Sequence, residues 1–254
     1  MDDNSCYENS CYNDLWIDGN NIPALLQYLE GEEYGQDLLI DFNKIIPMPE
    51  ELNVLGVWGV PKHRVIAIAE NDFRELDNDH WAKQNNITTI EELCAFLKTK
   101  EGGKRDIEEL RRLGNIYLSN LSKYGFSDGC SWRKENWGTR SNVENPAFIH
   151  DTSRNLGIRF ETFDGPPIKV VTALARQFPN NVFTFRYYER DAGFEGCVKV
   201  KGEQIMEESY LEHCRWWREN HVVVVGRKPI EDELSIWYYR VDGKSSRPQQ
   251  MEKD

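Results

Sequence analysis

The chain has 254 residues, is 39% hydrophobic, 12% aromatic and 29% charged, and carries a formal net charge of −12. That length allows one large domain or two small ones, and the apolar and aromatic share supplies a sizeable core and excludes a disordered chain. No stretch approaches the roughly 20 consecutive apolar residues of a membrane helix, and the acidic start, Met1-Asp2-Asp3-Asn4, lacks the apolar segment of a signal peptide. The expectation is therefore a cytoplasmic protein with no membrane partner.

The elements follow in chain order. Residues 11–18 read as a short strand closed by Gly19-Asn20-Asn21. Pro23 suits the first turn of a helix that carries Leu25, Leu26, Tyr28 and Leu29 and ends at Gly31. A second strand is predicted over 38–46, stopped by Pro47 and Pro49. From about 50 to 125 the pattern turns helical. Thr89 with Glu92 has capping-box spacing and opens a helix with Ile90, Leu93 and Leu97 on one face. Gly102-Gly103 breaks it. Asp106 then starts a helix whose stripe of Ile107, Leu110, Leu113, Tyr117, Leu121 and Tyr124 ends at Gly125.

Alternation returns at Leu156, Ile158, Phe160 and Thr162. A helix follows Pro166-Pro167 with Val170, Val171, Leu174 and Ala175, and stops at Pro179. Strands are expected over 182–188 and 194–200, joined by a turn near Asp191-Ala192-Gly193. The spacing of Met206, Tyr210, Cys214 and Trp217 predicts a further amphipathic helix, and 221–226 and 234–241 read as two late strands. Residues 243–254 read as a polar, mobile tail. Strand–helix–strand occurring twice argues an α+β sandwich, with helices on one face of a mixed or antiparallel sheet and a helical insertion. The expected divisions are 1–52, a helical insertion at 53–127, a C-terminal part at 128–242 and the tail.

The charge is segregated. Residues 1–60 hold twelve acidic side chains against Lys44 alone, so nearly all of the net charge lies in the first quarter of the chain. Glu30, Glu32, Glu33 and Asp37 form its densest run. Such a face repels nucleic acid and suits a basic protein partner; the plainer reading is a solvated surface that keeps the protein soluble.

Sites for chemistry are sparse. The dinucleotide-binding fingerprint, the phosphate-binding loop and the zinc-protease helix motif do not occur, so no cofactor and no metal are expected. Six cysteines at 6, 11, 94, 130, 197 and 214 show no C-x-x-C, and His213, Cys214 and His221 lack the spacing of a zinc site. Gly125-Phe126-Ser127-Asp128-Gly129 matches a hydrolase elbow in letters, but helix rather than strand precedes it. Adjacent carboxylates such as Glu207-Glu208 point about 100° apart on a helix and so do not share a site.

The segment 131–142 is the most unusual in the chain. It packs Trp132, Arg133, Lys134, Asn136, Trp137, Arg140 and Asn142 around Gly138. Two readings stand: a structural loop with Trp137 plugging the core, or a surface that stacks bases and binds nucleic acid.

Asn9-Ser10-Cys11-Tyr12-Asn13, then Phe42-Asn43-Lys44-Ile45-Ile46-Pro47-Met48-Pro49-Glu50-Glu51-Leu52, resembles the YubB-like family of phage, plasmid and genomic-island proteins. Glu135-Asn136-Trp137-Gly138-Thr139-Arg140, the Pro166-Pro167 helix ending in Gln177-Phe178-Pro179, and Tyr188-Glu189 leading to Gly193-Phe194-Glu195-Gly196 agree with it in the same order. The resemblance implies a ferredoxin-like C-terminal half and an accessory protein of a mobile element in a bacterial host. It brings no reaction. It adds Tyr188, Glu189 and Phe194 to Trp132, Arg133, Asn136, Trp137 and Arg140 as candidate binding residues. Were the chain an enzyme, Glu135, Arg140, Tyr188 and Glu189 would be the groups to test. The leading expectation is a non-enzymatic protein whose acidic face binds a basic protein partner, with a host nucleic-acid enzyme or defence component as the candidates that the mobile-element context suggests.

Overall fold

The computed structural model describes residues 10–33, 35–189, 193–212, 222–227 and 236–240. Cys6, His213, Cys214, Trp217, His221 and the tail 243–254 lie outside them.

Strand β1 (Ser10–Asp18) alternates in burial, with Cys11, Asn13, Leu15 and Ile17 on one side and Tyr12, Asp14 and Trp16 on the other. Helix α1 (Ile22–Leu29) starts with Pro23 in its first turn and buries Ile22, Leu25 and Leu29. A small ribbon of β2 (Gly31–Glu33) and β3 (Gln36–Leu38) follows. The strand expected over 38–46 is not there. Asp41 instead caps the one-turn helix α2 (Phe42–Ile45), its side chain accepting from the Asn43 N–H at 2.9 Å. A cap and two buried side chains three apart, Phe42 and Ile45, outweigh the strand-like apolar run around them.

Residues 48–132 form one compact unit, and the flanking stretches up to 47 and from 133 form the other. The 48–132 unit is helical: α3 (Lys62–Glu70), α4 (His80–Gln84), α5 (Ile90–Lys98), α6 (Ile107–Tyr124) and the start of α7 (Gly129–Asn136). The Thr89–Glu92 capping box forms in both directions, Asp106 accepts from the Glu108 and Glu109 N–H groups, and Gly125 ends α6 at φ 76°. Val65, Ala67, Ile68, Leu93, Leu97, Leu110, Leu113 and Tyr117 share its core. Helices α3 and α6 touch at Gly114, where a Cβ would stand 2.5 Å from the Val65 carbonyl oxygen. Glycine there sets how closely the two backbones approach.

The other unit is built on a sheet: β4 (Glu144–Asp151), β5 (Asn155–Phe163), helix α8 (Ile168–Gln177), β6 (Val182–Glu189), β7 (Phe194–Lys201) and β8 (Gln204–Glu212). The sheet order is β4-β5-β1-β6-β7-β8, all antiparallel neighbours. Because β5 and β6 both run against β1 and are joined through α8, they form a split βαβ unit with β1 between them. Strand β4, antiparallel to β5, runs with β1 and completes a second split unit. This interleaving is the ferredoxin-like α+β sandwich, extended by β7 and β8, with the helical unit inserted in the chain between β1 and β4. Val170, Val171, Leu174 and Ala175 of α8 pack toward β6 and β7, whose Phe183, Phe185, Val198 and Val200 are buried.

The helix expected from Met206 onward is instead strand β8 within the described residues. Gly202 at φ 57° begins a two-residue turn that pairs Lys201 with Gln204, and the ladder then holds Glu208 opposite Val198 and Tyr210 opposite Gly196. Hairpin pairing supplies backbone partners that an isolated four-residue spacing cannot. Strands β9 (Val222–Arg227) and β10 (Ile236–Arg240) form a separate two-stranded sheet.

Candidate functional site

The structure sends the sequence-derived candidates to three different places. The first is a strap formed by residues 136–142. Trp137 is 0% exposed, its ring meets Phe42 edge-on at 5.7 Å, and its indole N–H donates to the Ile46 carbonyl at 2.9 Å. Gly138 sits at φ 91°, and a Cβ there would lie 2.7 Å from the Pro166 carbonyl oxygen. Thr139 donates from its hydroxyl to the Phe163 carbonyl at 2.7 Å, and the Ser141 hydroxyl accepts from the Phe163 N–H at 3.2 Å. Buried Asn142 closes the strap: its amide donates to Asp41 at 3.0 Å and its carbonyl accepts from the Phe42 N–H at 3.0 Å. Every one of these groups is used in holding α2, β5 and the Pro166 turn together. A fully buried Trp137 offers no ring face to a ligand.

The cations beside the strap are engaged as well. The Arg133 guanidinium lies 5.0 Å from the Trp137 ring centre, Arg140 pairs with Asp164 at 3.4 Å and lies over Phe163, and Lys134 reaches Asp164 at 3.7 Å. Glu135 pairs with Lys169 at 3.1 Å. Asn136 is half-buried at the end of α7. Trp132, half-buried on α7, donates its backbone N–H to the Asp128 carbonyl at 3.3 Å.

The second place is the β6–β7 hairpin, where strand alternation separates the candidates. Tyr188 stands beside Tyr12 on one sheet face, while Glu189 faces Cys11 on the other and is 1% exposed. Neighbouring strand residues point to opposite faces, so Tyr188 and Glu189 do not act on one ligand. Burial, then the Glu189 charge, pushes the Cys11 thiol well above its ordinary range, which leaves it inert as a nucleophile. Phe194 lies between Tyr187 at 6.2 Å and Tyr210 at 5.9 Å. Burial, with the Cys11 and Glu208 charges behind it, pushes the Tyr187 hydroxyl up to about 12.

The elbow-like string folds as a connection between α6 and α7. Ser127 is buried and donates to the Asp128 carboxylate at 2.8 Å; that carboxylate accepts from the Ser131 N–H at 3.0 Å and pairs with Lys62. A capping carboxylate, not a histidine base, holds the serine, and the acid serves the helix.

The third place is the β2–β3 ribbon. Glu32 and Asp37 stand directly opposite one another in register, both exposed, and Glu30 is exposed just before them. Glu33 pairs through its backbone with Gln36. Lys44 donates to the Glu30 carbonyl, a backbone contact that leaves the Glu32 and Asp37 carboxylates facing water. The acidic run was visible in the sequence; the cross-strand opposition of Glu32 and Asp37 was not, because it depends on the turn that sets the register.

No protein-family model matches the chain, and no curated protein matches it. Among solved structures it is similar to the crystal structure of a protein api92 from Yersinia pseudotuberculosis, of the family model DUF1281, at 12% identity and a TM-score of 0.42 over 81% of this chain and 99% of that one. A likeness that remote transfers neither a residue role nor a partner. No helix among the described residues is long and apolar enough to cross a membrane.

Proposed function

We propose that this protein acts by binding rather than by catalysis, and that its acidic ribbon engages a basic surface on a protein partner. The observation that carries the reading is the exposed Glu32–Asp37 pair. Like charges directly opposite each other on two strands oppose ribbon formation, by about 0.2–1 kcal/mol, and a basic partner converts that repulsion into attraction. The strap adds support, since Trp137 is buried and Arg140 and Lys134 pair with Asp164, which leaves Trp137 no face for stacking a base. An accessory role for a phage, plasmid or genomic island, directed at a host nucleic-acid enzyme or defence component, rests on the sequence resemblance alone.

The test is a pair of reversals, Glu32→Lys with Asp37→Lys. Both variants of the pair carry the same sign, so ribbon stability stays close to the parent while the charge presented to a partner inverts. Tagged protein captures its partner from bacterial lysate after nuclease treatment, and the purified pair is followed by stopped-flow association over a salt series. The expected result is an association rate lower by about tenfold at low salt and a flattened salt dependence. An association rate unchanged by the double reversal, or a partner that nuclease removes, overturns the reading.

A further inference from the structure

The two edges of the sheet are treated differently by the sequence. Strand β4 is guarded: Pro146 removes a donor, Asn145 sits at φ 49°, and the ladder shifts register twice along its length. Strand β8 at the opposite edge has no proline; its one bulge is at Met206, near the hairpin, and from Glu207 to Glu212 its pairing with β7 is regular. Every residue from 203 to 210 is exposed, so neither face of this strand is covered. Ile205, Met206 and Tyr210 are 53%, 51% and 61% exposed. Among the described residues its outer backbone groups have no strand beside them. The regular, uncovered edge from Glu207 onward is a template for another strand.

The side chains say what kind of strand. The ladder puts Ile205, Glu208 and Tyr210 on one face, opposite Val200, Val198 and Gly196, and Glu207 and Ser209 on the other, with Met206 as the bulged residue between Ile205 and Glu207. Glu207 has Lys199 across the ladder on its inner side, whereas Glu208 stands opposite Val198 and has no cation across from it. A second copy of this chain fits poorly. Antiparallel self-pairing centred on Glu208, the middle of β8, brings Glu208 onto Glu208, and the next two registers toward the hairpin bring Glu207 onto Glu208 or Glu207 onto Glu207; directly opposed like charges are unfavourable.

We infer that β8 is a docking edge for an extended basic segment of the protein partner, added antiparallel as a seventh strand. Read opposite residues 207–210, past the bulge, that segment carries two consecutive basic residues, a small polar residue and an aromatic residue. Main-chain hydrogen bonds along the edge hold it, the basic pair meets Glu207 and Glu208 on the two faces, and the aromatic side chain covers Tyr210. This rests on the basic-partner reading above and specifies how such a partner attaches.

The experiment uses the full chain and three fluorescent peptides read by anisotropy. One carries the basic pattern just given, flanked by threonines. The second is the same peptide with alternate backbone nitrogens methylated, which keeps charge and side chains but removes strand pairing. The third replaces both lysines with glutamates. The expected result is binding of the first alone, weakened by about tenfold or more in the other two. Glu208→Lys, an exposed change, weakens the first peptide, while the Glu32→Lys/Asp37→Lys double variant leaves it bound. Hydrogen exchange of β8 amides slows when that peptide is present. Equal binding of the parent and methylated peptides, or no binding of the parent at millimolar concentration, overturns the docking edge. If the double variant also keeps its partner in the lysate experiment, the acidic-ribbon reading fails separately.

Discussion

The helical unit and the sheet unit assemble from contacts of very different reach. In residues 48–132 most element boundaries are set within four positions of chain: Thr89 with Glu92, Asp106 with Glu109, Asp79 with Ala82, Leu121 with Gly125. In the sheet unit Asn13 bonds Thr162 across 149 positions, Asn142 bonds Asp41 across 101, and Trp137 bonds Ile46 across 91. Loop-closure entropy grows only slowly with length, so a sheet can accept a helical unit inserted between two of its strands and still close. The lesson is that this sheet depends on a few buried polar and aromatic locks to hold distant segments in register, whereas the helices carry their own start and stop signals.

Breaking one lock tests that contrast most severely. Trp137→Ala empties a fully buried site and loses the bond to Ile46, and is expected to cost about 3–5 kcal/mol. Urea unfolding gives the total, and hydrogen exchange locates it: protection should fall in β1, β5 and β6 and hold in α3 and α6. Uniform loss through both units would break the comparison. The helical counterpart is Gly114→Ala, which forces α3 and α6 apart at the Val65 carbonyl and is expected to cost about 1–3 kcal/mol, with exchange rising in those two helices.

The smallest effect at neutral pH is electrostatic. Asp79 accepts a two-point bond from Arg64 at 2.6 and 2.9 Å, lies 3.0 Å from His63, and caps α4. The Arg64 guanidinium, chiefly, holds its carboxyl far below the ordinary value of 3.8. A carboxyl depressed in the folded state adds stability above its unfolded pKa, and that stability is lost as pH falls from there through the folded pKa. Urea midpoints should therefore stay level from about pH 7 to 5 and drop below about pH 4, more steeply in the parent than in Asp79→Asn. Parallel curves for the two proteins would remove Asp79 from the account.

How much was legible follows the same division. The Thr89 capping box, the Asp106 start, the Gly125 stop and the buried stripe of α6 were all readable, because helix signals lie within one or two turns. Strand β1 was readable from the Gly19-Asn20-Asn21 turn that closes it. Residues 38–46 were misread because the apolar run 38–40 looks like a strand, while the deciding group was the Asp41 side chain and its bond to a backbone two residues away. Residues 206–210 were misread because Met206 and Tyr210 fit a helical spacing, and only pairing with β7 settles the matter. The 136–142 segment stood out by composition, yet composition cannot tell a tryptophan that binds from one that is buried. What places Trp137 inside is Ile46 and Phe42, with Pro166 against the adjoining Gly138, none of them near in the chain.

By itself the sequence determined the fold class, the acidic first quarter and the local ends of the helices, since each follows from residue type and short spacing. Only the tertiary structure decided which candidates meet. It put Tyr188 and Glu189 on opposite faces, buried Trp137, set Glu32 against Asp37, and placed β8 at the edge of the sheet among the described residues. Those outcomes turn on strand register and pairing partner, and a shift of one residue in either reverses every side chain along the strand.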